Sequence, residues 1–129
     1  MVNLRKFYKN KNVLITGATG FKGAWLSLWL VSLGCKVTTL GFNPNRNKSL
    51  FYSLNLDKKT KLNLVDIRNK KKVTKVIKKN KIEIIFHLAA QPLIFESYLS
   101  PHSTYEINTI GTLNILDISI NNPTVKSLV

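Results

Sequence analysis

The chain has 129 residues, 44% of them hydrophobic, which suffices for one domain with a real core and excludes wholesale disorder. One cysteine, Cys35, and two histidines leave neither a disulfide framework nor a Cys/His cluster spaced for zinc, so no metal site is expected. The net charge of +14 raises the question of nucleic acid, but the basic residues are almost all lysines, spread along the chain without interleaved aromatics, and no specific nucleic-acid partner is expected.

In chain order, the basic segment Met1 to Asn12 runs into a glycine-rich turn where a secretory signal needs an apolar run and a cleavage site. The chain therefore reads as unexported and cytoplasmic. Asn12 to Thr16 is a short apolar run bounded by polar residues and then glycine, the pattern of a buried strand. Phe21 to Leu33 follows as a helix apolar over most of its surface, with Gly34 placed to terminate it. Its apolar stretch from Ala24 is broken by Ser27 and Ser32 and falls well short of the roughly 20 residues that span a bilayer, so no membrane segment is expected.

Lys36 to Leu40 reads as the second strand, and Phe42 to Lys61 as a loop with a short helical piece near Leu50 to Leu54. Lys61 to Val65 is the third strand, ending at Asp66. Between Asn69 and Asn80, Val73, Val76 and Ile77 recur at helical spacing, which makes the surrounding lysines the solvated face of an amphipathic helix. Ile82 to Leu88 is nearly continuously apolar, as the central strand of a parallel sheet is. A long connection from Ala89 to Ser103 leads to a last helix, Ser103 to Asn121, and Val125 to Val129 opens another strand. Strands alternating with helices predict an α/β fold: a Rossmann-type, doubly wound parallel sheet, here its N-terminal, cofactor-binding part.

The chemical signal is Thr16-Gly17-Ala18-Thr19-Gly20-Phe21-Lys22-Gly23, set between the first strand and the first helix. Gly17 makes the tight turn, Gly20 admits a pyrophosphate to the backbone, and Gly23 lets the helix pack on the strand. The phosphates would meet the N–H groups of the helix N-terminus. At the end of the second strand, where a carboxylate usually binds the ribose, the sequence reads Gly41-Phe42-Asn43-Pro44. Asn43 is a ribose-binding candidate and Arg46 would favour a 2′-phosphate, unless both are solvated loop residues. His87 reads as a core histidine with a satisfied hydrogen bond, set against an acid/base role, and His102 as a loop residue.

Together with Asp66-Ile67, His87-Leu88-Ala89-Ala90 and Tyr105-x-x-Asn108-x-x-Gly111-Thr112, these residues resemble the extended short-chain dehydrogenase/reductase family of NAD-dependent epimerases and dehydratases. Phe21-Lys22-Gly23-Ala24-Trp25-Leu26, Ser49-Leu50-Phe51 and Ala89-Ala90-Gln91-Pro92-Leu93 are most similar to its CDP-glucose 4,6-dehydratase branch. The resemblance implies NAD as cofactor, with NADP not excluded. It makes Gly17, Thr19, Gly20, Phe21, Lys22 and Gly23 cofactor-binding, with the backbone of Gly20 to Lys22 on the pyrophosphate, and places Asp66 and Ile67 at the adenine and Leu88, Ala89, Ala90 and Gln91 along the ribose and nicotinamide. Asn108 would support the site from the last helix. Lys22 is otherwise a solvated residue and Asp66 a turn residue.

The same resemblance implies oxidation at C4 of CDP-glucose, loss of water across C5 and C6, and return of the hydride to C6. The family's Tyr-x-x-x-Lys pair, whose lysine lowers the tyrosine pKa, has no match at Tyr8, Tyr52, Tyr98 or Tyr105. The chain is therefore expected to be the N-terminal part of an NAD(P)-binding domain without its substrate domain, inactive alone, and a homodimer when complete. Other sugar-nucleotide dehydratases and epimerases, a noncatalytic dinucleotide-binding module and, more remotely, a basic nucleic-acid-binding protein are the alternative readings.

Overall fold

The computed structural model describes residues 3–42 and 48–129. Strands β1 (Asn12–Thr16), β2 (Lys36–Gly41), β3 (Lys61–Leu64), β4 (Ile84–His87) and β5 (Ser127–Leu128) form one sheet in the order β3-β2-β1-β4-β5. All neighbouring strands are parallel. Each connection must therefore cross over one face of the sheet, and helices make the crossings. The fold is the doubly wound α/β sheet that the alternating pattern predicts.

Helix α1 (Leu4–Tyr8) precedes β1, and α2 (Phe21–Ser32) joins β1 to β2. Two short helices, α3 (Leu50–Ser53) and α4 (Leu56–Lys59), lie between β2 and β3, and α5 (Lys70–Lys79) joins β3 to β4. From β4 to β5 the chain passes through α6 (Ile94–Leu99), α7 (Pro101–Tyr105), a π-helical segment (Glu106–Gly111) and α8 (Thr112–Ile120).

Alternation along β1 splits the interior into two cores, one on each face of the sheet. Val13 and Ile15 pack with Leu30, Phe51 and Leu56 from α2, α3 and α4. Leu14 points the other way, into Val73, Val76 and Ile77 of α5 and Ile115 and Ile118 of α8. The α5 pattern works as expected: those three apolar residues are buried, and Lys70, Lys71, Lys72, Lys75, Lys78 and Lys79 are exposed. Asn69 caps the helix, its side chain accepting from Lys72 N at 3.0 Å. Gly34 ends α2 with φ of 86°, a left-handed position that costs a glycine little.

Four details depart from the sequence reading. The N-terminus forms α1, capped by Asn3, and Tyr8 packs against the core on the α2 side. The last helical run starts at Pro101 rather than Ser103, because proline fits the first helical turn, where its missing N–H is not needed. His102 therefore sits on α7, exposed, and not in a loop. The Ala89 to Ser103 connection contains α6, whose apolar residues Ile94, Phe95 and Leu99 are exposed, so no periodic burial marked it.

Candidate functional site

In doubly wound sheets ligands settle outside the carboxyl ends of the strands, where the strand order reverses. Here the chain winds outward in both directions from the β1/β4 pair. A cleft of about 910 Å³ opens at that place. Its lining includes Gly17, Thr19, Gly20, Phe21, Lys22 and Gly23 from the turn after β1, Asp66 and Ile67 after β3, and Leu88, Ala89, Ala90 and Gln91 after β4. Twelve residues singled out in three distant stretches of sequence thus meet around one cavity. Asn43 and Arg46 lie outside the described residues.

The glycine turn is built for close approach. Gly17 adopts φ of 66°, and a Cβ there would lie 2.7 Å from the backbone of Leu88 and Ala89. A Cβ on Gly23 would meet the Gly17 carbonyl at 2.3 Å, so the first turn of α2 rests directly on the turn before it. At Gly20 the nearest neighbour of such an atom is the Gly17 oxygen at 3.3 Å. Gly20 caps α2 in extended backbone with no side-chain cap. The first-turn N–H groups of a 12-residue helix are left to face the cleft, where an anion would satisfy them. Lys22 lies on the same rim, exposed and with no carboxylate partner among the described residues.

The wall after β4 is held from the last helical run. Asn108, in the π-helical segment, accepts from Gln91 N at 2.8 Å and donates to Gln91 O at 3.0 Å, as a neighbouring strand would. The Gln91 side chain donates to Thr104 at 2.9 Å. Asn108 does not itself line the cleft; it positions a residue that does. Gly111 ends the π segment directly over Ile67, where a Cβ would come within 2.4 Å of the isoleucine side chain. A π segment in a helix is rare and marks functional places.

After β3, Asp66 is both turn and cleft residue. Its Oδ1 accepts from Arg68 N at 2.8 Å, and its Oδ2 from Arg68 Nη2 at 2.6 Å. These hydrogen bonds from Arg68 hold the Asp66 carboxyl below its ordinary pKa, against the opposing effect of burial. Arg68 also reaches Glu106 at 3.2 Å, which ties this turn to the π segment.

His87, at the end of β4, is half-buried with both ring nitrogens engaged: Nδ1 lies 2.7 Å from Thr16 Oγ1 and Nε2 2.9 Å from Thr112 Oγ1. Burial pushes its pKa down. Sequence reading missed Gly41 and Glu96, which also line the cleft. Gly41 carried a signal, a glycine closing a strand: a Cβ there would strike the Thr19 side chain at 2.4 Å. Glu96 carried none, since its place in the cleft depends on α6.

The family model described as GDP-mannose 4,6 dehydratase matches residues 14–127. The chain belongs to that family. CDP-glucose 4,6-dehydratase of Salmonella typhimurium is 38% identical over 125 residues, which cover 97% of this chain and 35% of that protein. A UDP-glucose 4-epimerase of Thermotoga maritima, solved with UDP-glucose, superposes with a TM-score of 0.77 at 28% identity, over 91% of this chain and 36% of that one. A Thermus thermophilus UDP-glucose 4-epimerase solved with NAD gives 0.74 at 27% identity, over 88% and 35%. The chain thus spans about a third of the length of the relatives it matches. Among the described residues no helix is long and apolar enough to cross a membrane, and no group of His, Cys, Asp and Glu is arranged to hold a metal ion.

Proposed function

We propose that this chain is the cofactor-holding portion of a sugar-nucleotide dehydratase, with NAD as cofactor and CDP-glucose as the substrate of the whole protein. The observation that carries the reading is the cleft at the β1/β4 divide, with its glycine-rich turn and uncapped helix N-terminus. The 38% identity to a CDP-glucose 4,6-dehydratase across 97% of the chain supports the choice of branch.

The residues present fit a dinucleotide. The turn from Gly17 to Gly23 offers backbone N–H groups to a pyrophosphate, with no Cβ at Gly20 where the helix begins, and Lys22 adds a positive charge beside it. The ionised Asp66 is an acceptor for an exocyclic amine, and Ile67 is an apolar surface for a base. Leu88, Ala89, Ala90 and Gln91 form the wall for the ribose and nicotinamide, kept in place by Asn108. Bound NAD supplies the hydride acceptor and donor for an internal oxidation and reduction of the sugar. Neutral His87 serves the wall rather than the reaction, and no Tyr-x-x-x-Lys pair lies within the chain. The exposed stripe Ile110, Leu113, Leu116 and Ile120 is the surface through which the whole protein would form a homodimer.

Calorimetric titration of the 129-residue chain with NAD and with NADP tests the cofactor assignment. Saturable NAD binding that is lost in Gly20→Val is expected, and no binding of either dinucleotide would sink it. For the enzyme assignment, the chain can be joined to the remaining two-thirds of the Salmonella relative. Conversion of CDP-glucose to the 4-keto-6-deoxy sugar is expected. A chimera that folds and binds NAD without turnover favours a noncatalytic binding module.

A further inference from the structure

The turn after β1, the wall after β4 and the last helical run meet at one hydrogen-bonded chain of three side chains. Thr16 Oγ1 accepts from the backbone N–H groups of Leu88 and Ala89, each at 3.1 Å. A hydroxyl oxygen has two lone pairs and one proton. With both lone pairs used, the Thr16 proton is left for its remaining neighbour, His87 Nδ1, at 2.7 Å. That nitrogen must then be an acceptor, so the ring proton sits on Nε2 and is donated to Thr112 Oγ1 at 2.9 Å. The neighbours decide the tautomer.

We infer that His87 is a positioning residue for the cofactor cleft: as the Nε2–H tautomer it fixes the Thr16 hydroxyl, and through it the Leu88–Ala89 backbone against the glycine turn. This inference rests on the cofactor reading of the cleft for its consequence, not for its geometry. The Leu88 carbonyl and Ala89 nitrogen fill the space beside Gly17, 2.7 Å from where a Cβ would stand, so a shift of this backbone moves the cleft's two walls together. Protonating His87 puts a donor on Nδ1. Thr16 Oγ1 would then face three donors with two lone pairs, and either the Leu88 or the Ala89 amide loses its acceptor. Among the described residues no charged side chain is bonded to the ring to offset this. Around the ring β1 contributes Thr16 and α8 contributes Thr112, while the backbone oxygen of Val129 in the chain after β5 accepts only from the His87 amide, at 2.8 Å. Burial lowers the pKa of the ring and so favours the neutral form on which this arrangement depends.

The test combines ring-nitrogen NMR of the labelled chain with NAD titrations. At about pH 7.5 the ring should show a protonated Nε2 and an unprotonated Nδ1. An Nδ1–H tautomer or an even mixture overturns the inference. As the pH is lowered through the ring's own titration, followed by the same NMR signals, wild-type NAD affinity should fall roughly threefold to tenfold, the worth of one hydrogen bond. His87→Asn offers Thr16 an acceptor that does not titrate; its affinity should stay within about threefold of wild type and be flat over that range, where His87→Leu loses roughly tenfold throughout. A flat wild-type profile, or an Asn variant that follows the wild type downwards, removes His87 from the role. If His87→Leu fails to fold, the wild-type and Asn profiles decide. If the wild-type chain binds no dinucleotide, the cofactor reading falls, and amide exchange at Leu88 and Ala89 decides instead. Below the midpoint of the ring's titration it must be faster in the wild type than in His87→Asn.

Discussion

Gly23 shows how a single missing atom shapes this site. A Cβ at that position would sit 2.3 Å from the Gly17 carbonyl and 2.6 Å from Ala18 Cα, both backbone atoms with nowhere to go. Gly23→Ala should therefore cost about 1–3 kcal/mol, the usual range for overpacking. Thermal unfolding followed by circular dichroism would register it as a lower melting temperature, and an unchanged one would mean that α2 can slide off the turn.

Protonation matters at the same scale. Asp66 is held below its ordinary pKa chiefly by Arg68, and Glu83 by the Asn12 amide and then Lys11. Both carboxylates stabilise the fold above their unfolded values, near 3.8 and 4.5, and that contribution is lost as pH falls through the lower folded values. His87 acts earlier. Its folded pKa lies below 6.5, so its contribution is complete above that pH and declines as the pH drops toward the folded value. Urea midpoints across pH should fall first below about 6.5 and again in the acid range; a curve flat down to about pH 4 would contradict the His87 assignment, and one with no further fall below about pH 4 the carboxylate assignment. Cys35 is the opposite case: burial pushes its thiol up to about 11, and it donates to the Tyr8 carbonyl at 3.3 Å. It should resist alkylation at neutral pH until the chain unfolds, which a timed iodoacetamide reaction would reveal.

At the scale of elements, α5 separates what packs from what merely solvates. Ile77 is fully buried between α5 and the sheet, and Ile77→Ala should cost about 2–5 kcal/mol. Lys75, on the outer face, should change stability by less than about 0.5 kcal/mol when replaced by alanine. Denaturant unfolding of the two variants gives the comparison, and equal losses would mean that the lysine face is structural. The spacing of Val73, Val76 and Ile77 made this helix legible in the sequence, because one apolar stripe at a period of 3.6 has one way to pack. Helix α6 and the π segment were not legible. The apolar residues of α6 stay exposed, so burial left no periodicity to read, and the π segment is bound up with a contact between Gly111 and Ile67 that no local pattern encodes.

For the whole molecule, the informative feature is what remains uncovered. Trp25 and Trp29, one turn apart on α2, are 48% and 53% exposed, where the sequence suggested a helix buried on most sides. On α8, Ile115 and Ile118 face the sheet, and Leu113, Leu116 and Ile120 face outward. That division resolves why the apolar residues of this helix spread over more than one face. We expect the complete protein to pair through the outward stripe, and Leu116→Glu to shift it toward monomers in sedimentation. A wild-type protein that sediments as a monomer would refute this. The +14 charge belongs to this scale as well, since its lysines are spread along the chain, with six of them on the solvated face of α5. Any binding to DNA should be indifferent to sequence and decline steeply with salt, as gel-shift titrations would show.

The amino-acid chain alone carries the strand and helix order, the parallel sheet and the glycine turn, because each is written in neighbouring residues: apolar runs, a helical stripe, three glycines at fixed spacing. It also named, through its resemblance to a family, most of the residues that line the cleft. Only the tertiary structure decided that the stretches around residues 17, 66 and 88 share one cavity. It alone showed that Asn108 braces Gln91 and that His87 is held between Thr16 and Thr112. Those facts depend on contacts between segments as many as 73 residues apart, whose register is fixed when the sheet closes and not by any local preference of the chain.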